Sequence, residues 1–443
     1  MLYIQVAGKD CPVPLTDIQH FHFAHALLPE GWAQNVRFTV QDGVFARVEV
    51  DVPGGAGIAL PGMANLHSHT FQRAIAGLTE RGGGSESFWT WRDVMYRFAL
   101  QMSPDDVEAV AALAFAEMLE SGFTAVAEFH YLHHAPDGSP YDDVAEMAQR
   151  VRAAAAQTGI ELTLLPVFYA HAGFGAEPPA PAQRRFVNDL DSFARIFAAC
   201  GDGVAPHSLR AVTPGELSAV VELAGGKPVH IHISEQMAEV EACVAWSGMR
   251  PVEWLLAHAP VGPAWCLVHA THADAAERAA MVRAGAVAGL CPITEANLGD
   301  GIFPARDFAG AYGIGSDSNV LISVAEELRM LEYAQRLNFR ARNVLASPQH
   351  NATATAMYVR TLAGGAQALG RVDGFAAGAP ANFWTCGGED PDLALARAVF
   401  AGQRAVQDVF VRGQRVVADG VHRQAARLRG KFAAVLGKLR DHG

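Results

Sequence analysis

Residues 59–69 read Ala59-Leu-Pro-Gly-Met-Ala-Asn-Leu-His67-Ser-His69, an apolar run closed by two histidines one residue apart. In a strand, residues i and i+2 share a face, so His67 and His69 project together. Two imidazoles on one face make half of a zinc or iron site. Alone, a His-x-His pair is weak, because core histidines satisfied by backbone carbonyls can have the same spacing. Its weight depends on whether other metal-ligating residues fall at equivalent places in the chain.

They do. His230-Ile-His232 closes the apolar run 229–233, His269 closes 264–269, and Asp317 closes 312–317. With 59–66, 124–129, 162–168, 203–206 and 286–291 these make eight apolar runs, separated by amphipathic segments such as 104–120, 142–157 and 251–259. Eight runs with intervening helices predict an α/β fold, a (β/α)8 TIM-like barrel over residues 61–365. The fourth run, 203–206, is the weakest. Reactive side chains of such barrels sit at the C-terminal ends of strands, and these histidines and the aspartate fall there. A chance set of core histidines would not respect that rule. On the fifth strand, either His230 or His232 satisfies it.

Outside the barrel the texture is that of strands. Residues 35–40 and 44–50 alternate around Gln41-Asp-Gly, a hairpin turn signal. Strand texture returns after residue 365, in Asn382-Phe-Trp-Thr and in 407–417. The end segments 1–60 and 366–443 are expected to form one small β domain. The basic stretch 423–440 reads as an amphipathic surface helix.

Composition bounds the function. The 443 residues carry a formal net charge of −12, which disfavours nucleic acid as a partner but leaves room for a small anionic substrate met by a few arginines in a pocket. No apolar stretch is long enough to predict a membrane span. Six scattered cysteines without a CxxC pair read as buried thiols in a reducing compartment. The start, MLYIQVAGKDCP, lacks the pattern of a secretory signal, so a cytoplasmic location is expected.

Taken together, His67, His69, His232, His269 and Asp317 resemble the amidohydrolase superfamily, and the match runs over nearly the whole chain. The resemblance implies that His67, His69, His232 and Asp317 ligate one divalent metal, Zn2+ or Fe2+. His232 is favoured over His230 because Glu235 follows it in the His-x-x-Glu spacing of the deaminase branch, where the glutamate moves protons. Dinuclear members carry a lysine at the end of the fourth strand. Here Pro206-His207-Ser208 stands there, which implies a mononuclear site and frees His269 to hydrogen-bond the attacking water or the substrate. A bound zinc lowers the pKa of its water from 15.7 to about 7, and Asp317 would accept that water's proton. Glu235, His269 and Asp317 thus form the implied catalytic set.

A longer set of motifs narrows the resemblance. Residues 61–74, 76–80, 88–92, 127–134 and 205–210 together resemble the formimidoylglutamate deiminases of histidine degradation. That resemblance implies hydrolysis of N-formimino-L-glutamate to N-formyl-L-glutamate and ammonia, and homodimers are common among such relatives. Two substrate carboxylates call for guanidinium partners, and Arg92 and Arg210 lie on loops expected at the catalytic face. Gln72 would add an amide donor, Tyr131 a phenolic one, and His207 a contact near the reacting carbon. Trp89 and Trp91 are expected to pack a lid, and Ser318 and Asn319 to face the amino-acid end of the substrate. Two competing readings remain. An aminohydrolase acting on a purine, pyrimidine or triazine would take a flat, mostly uncharged substrate, which leaves the two arginines unexplained. A non-catalytic barrel scaffold would be marked by a missing ligand or acid, and none is missing.

Overall fold

The computed structural model describes residues 18–80 and 88–441. The described residues open with β1 (Ile18–Leu28), β2 (Gly31–Gln41) and β3 (Val44–Glu49), paired antiparallel in sequence order. Asp42 and Gly43 join β2 to β3 with φ of 53° and 78°. A two-residue hairpin needs these left-handed values, and Asp-Gly supplies them at little cost.

The run 59–66 is two strands, not one. β4 (Ile58–Pro61) belongs to the outer sheet, whereas β5 (Met63–Ser68) opens the barrel. The partners change at Gly62: its N–H bonds Asn382 O of the outer sheet at 3.0 Å, and Met63 N–H bonds Gly122 O beside the barrel at 3.0 Å. Hydropathy does not register a change of partner within a run that stays buried throughout.

The barrel continues with β6 (Phe123–His130), β7 (Glu161–Phe168), β8 (Ala205–Pro206), β9 (Val229–Ile233), β10 (Trp265–His269), β11 (Val287–Leu290) and β12 (Tyr312–Ile314). β5 to β8 pair in order, as do β9 to β12, all parallel. Single parallel bridges join the two halves: Val204 to Val229 and Ser208 to His232 on one side, Ser68 to Asp317 on the other. The weak fourth run is indeed only two residues of strand.

The β12–β5 seam has little ladder of its own, and close packing supports it. A Cβ on Gly315 would stand 2.7 Å from His67 O, so glycine is what lets the segment leading to Asp317 lie against the histidine strand. Helix Thr353–Ala368 covers the same seam, where a Cβ on Gly364 would come within 2.0 Å of Tyr312 O.

The C-terminal segment adds β13 (Phe383–Cys386), β14 (Val409–Val411), β15 (Gln414–Ala418) and β16 (Val421–His422) to the outer sheet, in the order β16-β15-β14-β13-β4-β1-β2-β3. Segments from both sides of the barrel in the sequence therefore share one sheet. Its own core is aromatic, built from Phe23, Phe38, Phe45, Phe375 and Phe383. The expected boundary at 60/61 falls inside β4, and that at 365/366 inside helix Thr353–Ala368. The basic helix Ala425–Asp441 is not solvated all round. It buries Leu428 and Leu439, and it reaches helix Pro104–Ser121 through Lys438 to Asp106 at 2.5 Å and Arg429 to Glu120 at 3.0 Å. Among the described residues, no helix is long and apolar enough to cross a membrane.

Candidate metal centre and active site

His67 closes β5 and His69 follows it by two residues, while Ser68 between them turns away to accept a hydrogen bond from Asn319 Nδ2 at 3.1 Å. Two backbone bonds lock this end of β5 to Asp317: Asp317 N–H to His67 O and His69 N–H to Asp317 O, each 2.9 Å. His232 arrives from β9. The Nε2 atoms of His67, His69 and His232 form a triangle with edges of 3.1, 3.3 and 3.0 Å, and Asp317 Oδ1 lies 3.3 Å from both His67 Nε2 and His69 Nε2. Ligand atoms about 2.0–2.1 Å from a tetrahedral cation stand about 3.3–3.4 Å apart. Three of the five separations match and the other two are 0.2–0.3 Å shorter.

The tautomers point the same way. His69 Nδ1 lies 2.9 Å from Phe129 O and His232 Nδ1 lies 2.9 Å from His207 O. A carbonyl accepts, so each Nδ1 carries the hydrogen and each Nε2 turns a lone pair inward. Burial lowers the pKa of all three ligand histidines, well below the usual value for His67 and His232, and keeps them neutral. Neutral imidazole lone pairs and a carboxylate converging at this distance repel one another unless a cation sits between them. The donor set therefore fits a divalent N/O-ligated metal. His230 lies outside it, with Nε2 bonded to Ala368 O at 2.8 Å.

Beside the quartet lie the groups that can move protons. His269, at the end of β10, sets Nδ1 3.3 Å from Glu295 Oε1, and its Nε2 lies 3.6 Å from Glu235 Oε1 and 3.9 Å from Asp317 Oδ2. Burial opposes its charged form, but Glu235, Glu295 and Asp317 outweigh burial and hold its pKa well above the ordinary value. Burial pushes Glu235 up to about 7, with Asp317 adding to the rise and His269 and Arg210 opposing it. Asp300, buried next and close to Glu235, is pushed up to about 9 and accepts from Gln236 Nε2. Backbone strain gathers here too: Ser234, His269, Ala270, Asp317 and Asn319 all have φ between 44° and 66°.

These groups open onto one cavity with about 710 Å³ of free space, its mouth included. His69, His232, Glu235, His269 and Asp317 form one part of its lining, and Gln72, Arg92, Tyr131, His207 and Arg210 another. Arg92 and Trp91 come from helix Phe88–Ala99, and His207 and Arg210 from the loop after β8.

Comparison with known proteins accords with this geometry. The model of the amidohydrolase family matches residues 58–416. The chain belongs to the amidohydrolase family. A second family model, the N-terminal domain of formimidoylglutamate deiminase HutF, matches residues 19–58 of the amidohydrolase. It is 52% identical to the formimidoylglutamate deiminase of Pseudomonas aeruginosa over 94% of this chain and 98% of that one. It is 29% identical to the 8-oxoguanine deaminase of the same organism, over 65% and 66%. Among solved structures it resembles an amidohydrolase from Brucella melitensis with a TM-score of 0.93 at 50% identity, covering 95% of this chain and 99% of that one. An atrazine chlorohydrolase from Arthrobacter aurescens, complexed with zinc, shares the fold at a TM-score of 0.79 and 18% identity, covering 94% and 99%.

In the amidohydrolase, Glu235, His269, Asp317, Gln72, Arg92, Tyr131, His207 and Arg210, singled out from sequence as catalytic or substrate-binding, all line the cavity, and His67 lies fully buried among the other ligands. Some details differ from expectation. The Gln72 amide donates to Tyr131 OH at 2.7 Å instead of standing free. Ser318 is engaged with Thr294 Oγ1 at 2.9 Å and Asn319 with Ser68, Ser316 and Asp317, so neither faces the cavity. Trp91 lines the cavity, and the side chain of Trp89 lies outside the described residues. His133 and His134 hold backbone carbonyls of Val167 and Val187.

Sequence reasoning missed Tyr96, Tyr169, Glu295 and Asn65. Tyr169 follows β7 and Glu295 lies just past β11, so strand-end logic applied to all eight strands would have reached both. Asn65 is a polar residue inside an apolar run, which by itself calls for a buried partner. Tyr96 had no such signal.

Proposed function

We propose that this amidohydrolase hydrolyses N-formimino-L-glutamate to N-formyl-L-glutamate and ammonia. The observation that carries the reading is that a four-ligand cluster suited to one divalent cation and two guanidiniums, Arg92 and Arg210, share a single cavity. The relationship to the Pseudomonas aeruginosa deiminase over almost the whole chain supports it. A dicarboxylate with a formimino group matches both halves of that cavity, whereas a flat neutral base offers the guanidiniums no carboxylate to bind.

His67, His69, His232 and Asp317 would hold the cation, zinc or iron(II). When bound, such a cation is a Lewis acid that lowers the pKa of a coordinated water from 15.7 to about 7. The chain's own groups handle the rest. Asp317 accepts a proton from the attacking water, whose oxygen adds to the formimino C=N carbon. His269, kept charged by its three carboxylate neighbours, hydrogen-bonds that oxygen or the substrate. Glu235, with a pKa near neutrality, gives a proton to the substrate nitrogen. Asp317 then passes the water proton to the same nitrogen and the remaining hydroxyl hydrogen returns to Glu235, so the C–N bond breaks, ammonia leaves, and the carbonyl of N-formyl-L-glutamate forms. His207, whose charged form is disfavoured by burial and by Arg210, offers a neutral ring beside His232. The five described cysteines are free and buried, which supports a reducing, cytoplasmic setting.

The test is steady-state ammonia release from N-formimino-L-glutamate, guanine, adenosine and a triazine. The expected result is turnover of the formimino acid with kcat/KM at least roughly a hundredfold above the others, the scale of two lost anion clamps. Preference for a neutral base would overturn the substrate assignment.

A further inference from the structure

Three phenols line the cavity, and in two of them, Tyr131 and Tyr169, the oxygen accepts a close hydrogen bond from a glutamine amide. Gln72 Nε2 donates to Tyr131 OH at 2.7 Å, and Gln183 Nε2 donates to Tyr169 OH at 2.5 Å. Tyr131 is part of the site expected from the sequence, whereas Tyr169 is not. Gln183 cannot turn its amide around, because its Oε1 accepts the Ala180 N–H at 2.7 Å. Its Nε2 also lies 3.3 Å from Tyr96 OH, so one amide faces both hydroxyls.

The hydrogen count in this trio is fixed. Two phenols bring two hydroxyl hydrogens, and a pair can use only one between its own oxygens. At least one hydrogen is left to donate outside the trio. Gln183 is 3% exposed and absent from the cavity wall, while Tyr96 and Tyr169 both line it, so that hydrogen points to the cavity. The surroundings set what it meets. Arg92 and Arg210 both act electrostatically on the Tyr169 hydroxyl, and the Arg92 guanidinium sits 5.5 Å from the centre of the Tyr96 ring. A wall made of two guanidiniums and a spare phenolic O–H is all donor. Its complement is an acceptor-only group, that is, a carboxylate.

We infer that Tyr169, held with Tyr96 by Gln183, is a specificity-determining donor to a substrate carboxylate bound between Arg92 and Arg210. This rests on the dicarboxylate reading proposed above. Tyr169 acts on binding of the acid end and not on the reacting carbon, so its loss is read in KM more than in kcat.

The experiment compares wild type with Tyr169→Phe and Gln183→Glu on N-formimino-L-glutamate and on its two analogues in which one carboxylate is an amide. Metal content and melting temperature serve as controls for folding. Tyr169→Phe is expected to raise KM for the dicarboxylate roughly tenfold, the range of one charge-assisted hydrogen bond, with kcat within roughly threefold of wild type. It should also discriminate less against one of the two amides. Gln183→Glu presents an acceptor to both phenols, draws the spare hydrogen away and should give at least the same loss. An unchanged KM in Tyr169→Phe, or an equal loss on the dicarboxylate and both amides, would overturn the inference. Calorimetric binding of N-formyl-L-glutamate gives a readout without turnover: roughly tenfold weaker binding to Tyr169→Phe supports the donor role, and equal binding refutes it. Absence of ammonia release by the wild type would instead refute the substrate reading, with the calorimetric comparison still deciding the role of Tyr169.

Discussion

Asn65 joins the two strands that bring the ligands together, and Asn65→Leu isolates that function. The side chain is fully buried, with Nδ2 2.6 Å from Ser316 Oγ and Oδ1 accepting the Ser316 N–H at 3.0 Å. Leucine has nearly the same size but neither polar group. The Ser316 N–H is then orphaned in the interior, at about 1–3 kcal/mol, and the second bond adds about 1 kcal/mol. Ser316 Oγ keeps Asn319 Oδ1 as a partner at 2.7 Å, which limits the loss. Urea unfolding of the metal-free protein should therefore show about 2–4 kcal/mol of destabilisation. The consequence for function lies one residue on. Asp317 Oδ1 must stand 3.3 Å from both His67 Nε2 and His69 Nε2, and the β12–β5 seam holds it there with few ladder bonds. Loosening the groups that orient metal ligands typically costs 10–100-fold in affinity, or about 1.4–2.7 kcal/mol. Competition with a chelator of known affinity measures this directly. If stability falls as stated but metal affinity stays within roughly twofold of wild type, Asn65 does not position the ligands.

Glu235→Gln should retain full metal content and lose most turnover, because a buried amide cannot pass a proton to the leaving nitrogen; wild-type kcat would remove Glu235 from the proton path. Arg210→Met should mainly weaken substrate binding, read as a higher KM, and an unchanged kcat/KM would show that it clamps no carboxylate. Glu128 gives a pH test, since burial raises its pKa from 4.5 to about 7 while its Oε1 accepts from the Thr70 N–H and hydroxyl. Between those two pH values only the unfolded chain releases the proton, so stability falls with rising pH across that window and levels off above about 7. Glu128→Gln removes that fall, so its stability relative to wild type should improve by about 2.5 kcal/mol between pH 5 and pH 8, and a pH-independent difference would contradict it.

Much of this site could be read from the sequence because barrel geometry converts position into function. His67, His69, His232, Glu235, His269 and Asp317 all fall at or just past strand ends, and that rule alone brings together residues 250 apart, from His67 to Asp317. What stayed hidden depends on partners and not on periodicity. The split of 59–66 at Gly62 reflects a change of hydrogen-bond partner inside a run that is buried on both sides. The fourth strand is short because two isolated bridges, and not a ladder, carry the crossing to β9. Ser318 and Asn319 follow the aspartate as a substrate-binding pair would, yet their hydrogen bonds turn inward to brace the seam. Tyr96 and Tyr169 are linked through Gln183, which reaches both from the short turn Pro181–Gln183 between β7 and β8.

The account stands or falls on one cation held by four side chains from three strands of the barrel. Stripping the protein with a chelator and titrating Zn2+ back while following ammonia release from N-formimino-L-glutamate tests it most directly. Activity should be absent in the stripped protein and rise linearly to a break at one equivalent. Full activity without added metal, or a break at two equivalents, would contradict a single site built by His67, His69, His232 and Asp317.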